Sequence, residues 1–168
     1  MGTLDPFAVL GLQRRYDLDA DRVERAYLER VAELHPDLIA AEAMGQLGDD
    51  GFDAERRSSE LNEARRILAD PEQRAVALWR LLGGVEDKTL PPAFLMDIMQ
   101  VREEMEGSKG DRARWEVWTG QQRAAHERSV RGLFARLQAG DAPAPLLKQI
   151  RLELNAWRYI ERMAEQIA

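Results

Sequence analysis

Apolar residues recur along almost the whole chain at intervals of three and four, the spacing of one helix face. No stretch of five or more residues alternates cleanly as a half-buried strand would. Asp5-Pro6 joins an N-cap to a proline at the first helical position and predicts a short helix carrying Phe7 and Leu10, stopped at Gly11. A second helix is expected from about Asp21 to Leu34, with Asp21 as cap and Glu24 reaching back in a capping box. Val23, Tyr27, Val31 and Leu34 are its apolar stripe, and Pro36 should end it by turning His35 away from helical angles. Residues 45–53, with three Gly and three Asp, read as a loop. A third helix follows from about Ala54 to Ala69, with Leu61, Ala64 and Leu68 inward. Asp70-Pro71 repeats the capping device and opens a fourth helix bearing Ala75, Leu78 and Leu82, stopped by Gly83-Gly84. The polar stretch 85–90 and the restart at Pro91-Pro92 divide the chain into domains 1–84 and 85–168. Beyond that point, helices near 93–106, 111–139 and 144–167 carry the stripes Trp118, Ala125, Val130, Leu133, Leu137 and Leu147, Ile150, Leu154, Trp157, Ala164. Such stripes with short connections suit an antiparallel three-helix bundle.

Composition narrows the function. Of 168 residues 45% are apolar, enough to build a core, and the net charge is −6. Residues 1–84 hold 17 acids against 11 bases and the remainder is neutral, so the basic footprint of a nucleic-acid binder is missing. The absence of cysteine removes disulfides, thiolate nucleophiles and Cys-based metal sites, and two His leave little for a histidine site. No metal and no cofactor is expected. No apolar run reaches the length of a spanning helix and no leader-like segment opens the chain, which points to a cytoplasmic protein without a membrane partner. There is no phosphate-cradling glycine motif, so the chain should not hydrolyse ATP itself. Asp49, Asp50 and Asp53 miss calcium-loop spacing and suit a solvated loop. His126, among Arg123, Glu127 and Arg128, reads as exposed surface; Trp115 and Trp118 read as core.

Two features hold chemistry beyond folding. His35-Pro36-Asp37 is either a helix stop or a recognition motif; as a hydrolytic pair it lacks a nucleophile, a metal or a third group. The helix near 93–106 has a second apolar face. At 100° per residue, Phe94, Ile98, Val101 and Met105 share about 60° of arc, whereas Leu95, Met96 and Met99 lie roughly 90–190° from its centre. Leu152 and Tyr159, at i and i+7, likewise leave the stripe of the last helix. Either Leu95 fills the flank of the bundle and the Met residues pack under the first domain, or together they form a Met-rich docking patch, a type of surface that adapts to a partner.

A short helix, a long helix, His35-Pro36-Asp37, a loop and a third helix with Leu61-Asn62-Glu63-Ala64 resemble the J domain of co-chaperones, over about residues 5–82. Ala93-Phe94-Leu95-Met96-Asp97 followed by Arg102-Glu103-Glu104, together with the connection Gln13–Asp19, resembles the HscB family, the J-type co-chaperones of iron–sulfur cluster assembly. The resemblance implies an all-α, L-shaped chain: a J domain built as a helical hairpin with a His-Pro-Asp loop, and a C-terminal three-helix bundle. It implies no catalysis of its own. His35, Pro36, Asp37, Arg25 and Arg30 would meet an ATPase chaperone of the DnaK/HscA class. Leu95, Met96, Met99, Gln100, Glu103 and Leu152 would bind an iron–sulfur scaffold protein. The chain departs from the pattern at Leu38, where a lysine is common, at Gln100 and Gly107, where acids are, and in the acids Glu24, Glu29 and Glu33 that share the second helix with Arg22, Arg25 and Arg30. A J-domain co-chaperone for a different client, or a helical interaction module without chaperone coupling, fits the same residues.

Overall fold

The structure is a computed structural model that describes the backbone of residues 2–43, 49–108 and 110–168, and the side chains of these except 35–43 and 49–52. Among the described residues it is all α-helix: α1 (Pro6–Leu10), α2 (Ala20–Ala43), α3 (Asp49–Ala69), α4 (Pro71–Leu81), α5 (Pro92–Gly107), α6 (Arg112–Gln138) and α7 (Pro143–Ile167). The chain forms two compact units, Met1–Leu78 and Trp79–Ala168, the division falling within α4.

In the first unit local chemistry sets the helix ends. Asp5 Oδ1 accepts from the Phe7 and Ala8 amides at 3.1 Å each, and its other oxygen takes the Arg14 guanidinium. Gly11 closes α1 at φ 67°, a left-handed angle that only glycine adopts freely. Asp70 caps α4 through the Gln73 amide at 2.9 Å. Three expectations fail here. The cap of α2 is Asp19, which bonds the Asp21 amide, and Glu24 forms no capping box but pairs with Arg65 of α3 at 2.8 and 3.0 Å. Pro36 does not end α2, which continues to Ala43. A proline costs a helix one hydrogen bond and a local clash, about 3 kcal/mol, and the run Leu38–Ala43 consists largely of strong helix formers. Nor is 49–53 a loop: α3 begins at Asp49, and aspartates suit the positive end of a helix dipole. The rest of that loop expectation, residues 45–48, lies outside the described residues.

Helices α2 and α3 run antiparallel, Tyr27 donating to Asn62 at 2.7 Å one turn from the Glu24–Arg65 pair. Val23, Ala26 and Leu34 of α2 and Leu61, Ala64 and Leu68 of α3 are buried with Phe7 and Leu10 of α1. Arg74 is buried too; it donates to the Leu68 carbonyl at 2.8 Å and lies over the Tyr16 ring. That carbonyl belongs to the last turn of α3, whose acceptors lack partners within the helix.

The second unit is built on α7, whose Leu146, Ile150, Leu154, Ala156, Trp157, Ile160 and Met163 are buried. Trp115, Thr119, Val130 and Phe134 of α6 face them across an antiparallel pairing tied by Arg123 and Glu161 at 2.6 Å. Trp115 is buried as expected, but the stripe of α6 differs from the expected one in that Ala125 is exposed and Phe134 is buried. In α4 it is Trp79 rather than Leu82 that is buried; its indole N–H donates to the Leu147 carbonyl at 2.9 Å, and Leu82 is exposed. Gly84 crosses the face of that indole so closely that a Cβ there would collide with the ring. The stretch after it is held to α7, Asn155 donating to the carbonyls of Asp87 and Thr89 at 2.8 Å. Helix α5 then packs Ile98 against Ile160 and Met163, with Phe94, Val101, Met105, Trp118 and Tyr159 around them.

Truncating the anchor of α5, Ile98→Ala, is expected to lower stability by about 2–5 kcal/mol in denaturant or thermal melts, as buried Ile truncations do. Glu161 adds a pH dependence. Burial pushes its carboxyl up, but the Arg123 guanidinium and the Trp157 N–H bonded to it outweigh burial and hold it below the ordinary glutamate value. A carboxyl depressed by folding stabilises the native state above its unfolded pKa, and loses that contribution as pH falls through the folded one. Glu161→Gln should therefore lower Tm near neutrality, with the difference shrinking below about pH 4; a difference constant from pH 7 to 3 would show the carboxylate's charge to be irrelevant.

Candidate functional site

The two groups of candidate residues lie in different units. In the first, the backbone of His35, Pro36 and Asp37 belongs to α2, and their side chains lie outside the described residues. Arg30 and Arg25, five and ten residues before His35, come together on the exposed side of α2, where with Arg22, Glu29 and Glu33 they line a groove beside the Gly11 turn. Arg30 pairs with Glu33 at 3.2 Å and its guanidinium lies over Gly11, whose φ of 67° itself disfavours a side chain. Arg25 reaches back to the Asp21 carbonyl at 3.3 Å. The groove thus carries both signs of charge. Glu24, expected on this face, is drawn to α3 by Arg65, whose guanidinium also stacks on Tyr27.

In the second unit the helical period places Leu95, Met96, Met99, Gln100 and Glu103 on one side of α5 and Phe94, Ile98, Val101 and Met105 on the other. The two sets separate by exposure. Met96 is 75% exposed, Met99 66% and Leu95 45%, whereas Ile98 is 2% exposed. Within their own unit, Met96 and Met99 therefore add little to the core, and Leu95 is half-exposed. The other large apolar side chains exposed among the described residues, Leu28, Leu82, Val85 and Val117, are scattered over α2, the α4–α5 connection and α6. A contiguous apolar strip on an otherwise charged helix favours an interaction surface. At its polar edge, Gln100 donates to Glu104 at 3.4 Å, and Glu103 is exposed. Leu152 sits apart, half-buried on α7 on the face it shares with Asn155 and Tyr159.

His126 corrects another expectation. Its side chain is only 12% exposed, with Nδ1 3.0 Å from Glu153 of α7 and its ring edge-on to Phe94. The signal was available in the spacing: His126 lies seven residues after Thr119 and four before Val130, on the buried face of α6. Its charged sequence neighbours point elsewhere on the helix. Among the described residues no group of three potential metal ligands comes together, and no helix is long and apolar enough to cross a membrane.

Comparison with known proteins agrees with these features. Residues 5–76 match the DnaJ domain model and residues 90–168 the HSCB C-terminal oligomerisation domain model. The chain is 31% identical over 177 residues to the Bordetella petrii co-chaperone protein HscB homolog, covering 100% of this chain and 96% of the relative. It is 37% identical over 109 residues to the Paraburkholderia phymatum homolog, over 60% of this chain and 57% of that one. Among solved structures, the human co-chaperone HscB superposes with a TM-score of 0.80 at 20% identity, over 99% of this chain and 82% of that one. The Vibrio cholerae chaperone HscB gives 0.65 at 24% identity, over 98% and 99%. The structural likeness carries the fold. With a full-length relative above 30% identity and both domain models in order along it, the chain belongs to the HscB family of J-domain co-chaperones.

Proposed function

We propose that this chain brings an iron–sulfur cluster scaffold protein to an ATPase chaperone of the DnaK/HscA class and stimulates ATP hydrolysis there. Residues 1–84 serve the chaperone and residues 85–168 the scaffold. The observation that carries the reading is the exposed strip Leu95, Met96 and Met99, backed on the same helix by a buried Ile98, in a chain of this family. Methionine suits such a role because an unbranched thioether chain repacks against a partner at little cost. Gln100 and Glu103 supply the polar rim, and Leu152, apart from the strip on α7, adds a second apolar contact.

On the other side, His35-Pro36-Asp37 contacts the chaperone. Asp37 offers its carboxylate to an arginine of the partner as a charge-assisted hydrogen bond, and Arg25 and Arg30 add electrostatic attraction. Glu29 and Glu33 in the same groove weaken that attraction toward a purely acidic surface. The benefit of one chain holding both partners is effective concentration: once the scaffold is docked, its encounter with the chaperone is intramolecular.

Two experiments address the two functions. Asp37→Asn keeps the side-chain shape and removes the charge, so it should abolish stimulation of steady-state ATPase, assayed with scaffold present, while leaving melting nearly unchanged. Full stimulation by that variant would remove the tripeptide from the mechanism. Combined Met96→Ala and Met99→Ala should weaken scaffold binding in isothermal titration by about 2 kcal/mol if they form a hot spot, with Tm almost unaltered because both side chains are exposed. Leu152→Ala is expected to weaken binding in the same direction. Normal affinity in the double methionine variant would exclude this face of α5 as the docking surface.

A further inference from the structure

Helix α5 is thinly anchored for an element that presents a docking surface. Of its 16 residues one, Ile98, is fully buried, against seven in α7, and no side chain caps its N-terminus at Pro91. Its C-terminal end is secured by polar contacts: Ser108 donates to the Glu104 carbonyl at 2.7 Å, Trp115 donates to Ser108 at 3.2 Å, and Arg114 pairs with Glu104 at 3.4 Å. The N-terminal half, which carries Leu95, Met96 and Met99, has no such set. It has Phe94. That ring stands edge-on between two others, His126 of α6 at 5.8 Å and 70°, and Tyr159 of α7 at 5.9 Å and 82°. Each flanking ring is tethered in turn. A carboxylate only accepts, so the proton in the 3.0 Å contact of His126 Nδ1 with Glu153 lies on the imidazole. Tyr159 accepts from Arg102, one helical face further along α5, at 2.9 Å. The second imidazole nitrogen is buried without a hydrogen-bond partner, an arrangement that spends one nitrogen on the tether and leaves the rest of the ring to pack.

We infer that His126, held by Glu153, is a positioning residue for docking: with Tyr159 it clamps Phe94 and so fixes the rotation of α5 that turns Leu95, Met96 and Met99 outward. Phe94 and Leu95 are adjacent, so a rotation of α5 that freed the first would carry the second toward the vacated space. The inference rests on the proposed docking face, but the clamp itself can be measured without any partner.

The test uses the full chain with three substitutions, His126→Ala, His126→Phe and Glu153→Gln. Amide hydrogen exchange at residues 95–99 should accelerate about tenfold in His126→Ala while α6 and α7 keep their protection, as expected of a local opening. His126→Phe, which restores a ring against Phe94, should recover most of the protection; Glu153→Gln, at a partly exposed side chain, should give a smaller change of the same sign without loss of fold. Scaffold affinity by isothermal titration should follow the same order, with about a tenfold loss in His126→Ala. Unchanged exchange in α5, or equal loosening of all three helices, overturns the clamp. Faster exchange in α5 with undiminished scaffold binding overturns the positioning role. If the Met96 and Met99 substitutions also leave binding intact, it is the docking reading that fails, and the exchange result on the clamp still stands.

Discussion

The buried stripe of α7 is the constraint from which the second unit follows. Seven of its residues are sequestered, spaced so that two helices can pack on it at once. Helix α6 takes one side through Trp115, Val130 and Phe134, and α5 takes another through Ile98. The stretch before α5 is bound to the same helix by Asn155 and Arg151, and Trp79 by the Leu147 carbonyl. Because α5 needs only a narrow strip of its circumference to meet α7, most of its surface remains available. The apolar residues on that remainder add nothing to the core, so burial does not account for them. Their exposure costs solubility, a cost that an interaction surface explains.

In the first unit electrostatics does comparable sorting. The acids of α2 do not act as one face. Glu24 is consumed by a bidentate pair with Arg65, and Glu33 by Arg30 on its own helix. Exposed pairs of this kind are worth little to stability, on the order of 0–1 kcal/mol. Their effect on recognition is larger, since each removes a charge of one sign from the field a partner meets. What remains near the Gly11 turn is Arg22 and Arg25 beside Glu29, a mixed pattern rather than a basic stripe. A surface complementary to it needs both signs of charge.

Where the sequence could be read, a local and short-range cause was at work. Asp5-Pro6 and Asp70-Pro71 encode caps whose partners lie two or three residues away, and the angular arithmetic of α5 separated Ile98 from Met96 and Met99 correctly. Pro36 misled because a single-residue rule was set against a whole run of helix-forming residues, and the run prevailed. Asp21 and Asp19 both suit a cap by type, and the bond from the Asp21 amide to Asp19 decides for Asp19. The charged neighbours of His126 in sequence point to the surface, but the buried residues seven before it and four after it, Thr119 and Val130, place it on the inner face of α6. The roles given to His35-Pro36-Asp37 came from resemblance; no spacing rule derives a chaperone contact from three residues.

The two halves of α5 solve a problem common to docking surfaces. Affinity rises when a surface is ordered before binding, because ordering then costs nothing at the moment of contact. Tolerance of an imperfect partner surface rises when the contacting side chains can repack. A rigid backbone with adaptable tips satisfies both demands. Here the backbone is fixed from within, by Ile98 in the core and by Phe94 between two tethered rings, and the tips are methionines. The division falls between consecutive residues, Phe94 facing inward and Leu95 outward, Ile98 inward and Met99 outward. An error of one position in either pair would bury a contact residue or expose an anchor. The helical period alone enforces that alternation, which is why the exposed and buried sides of α5 were legible in the sequence.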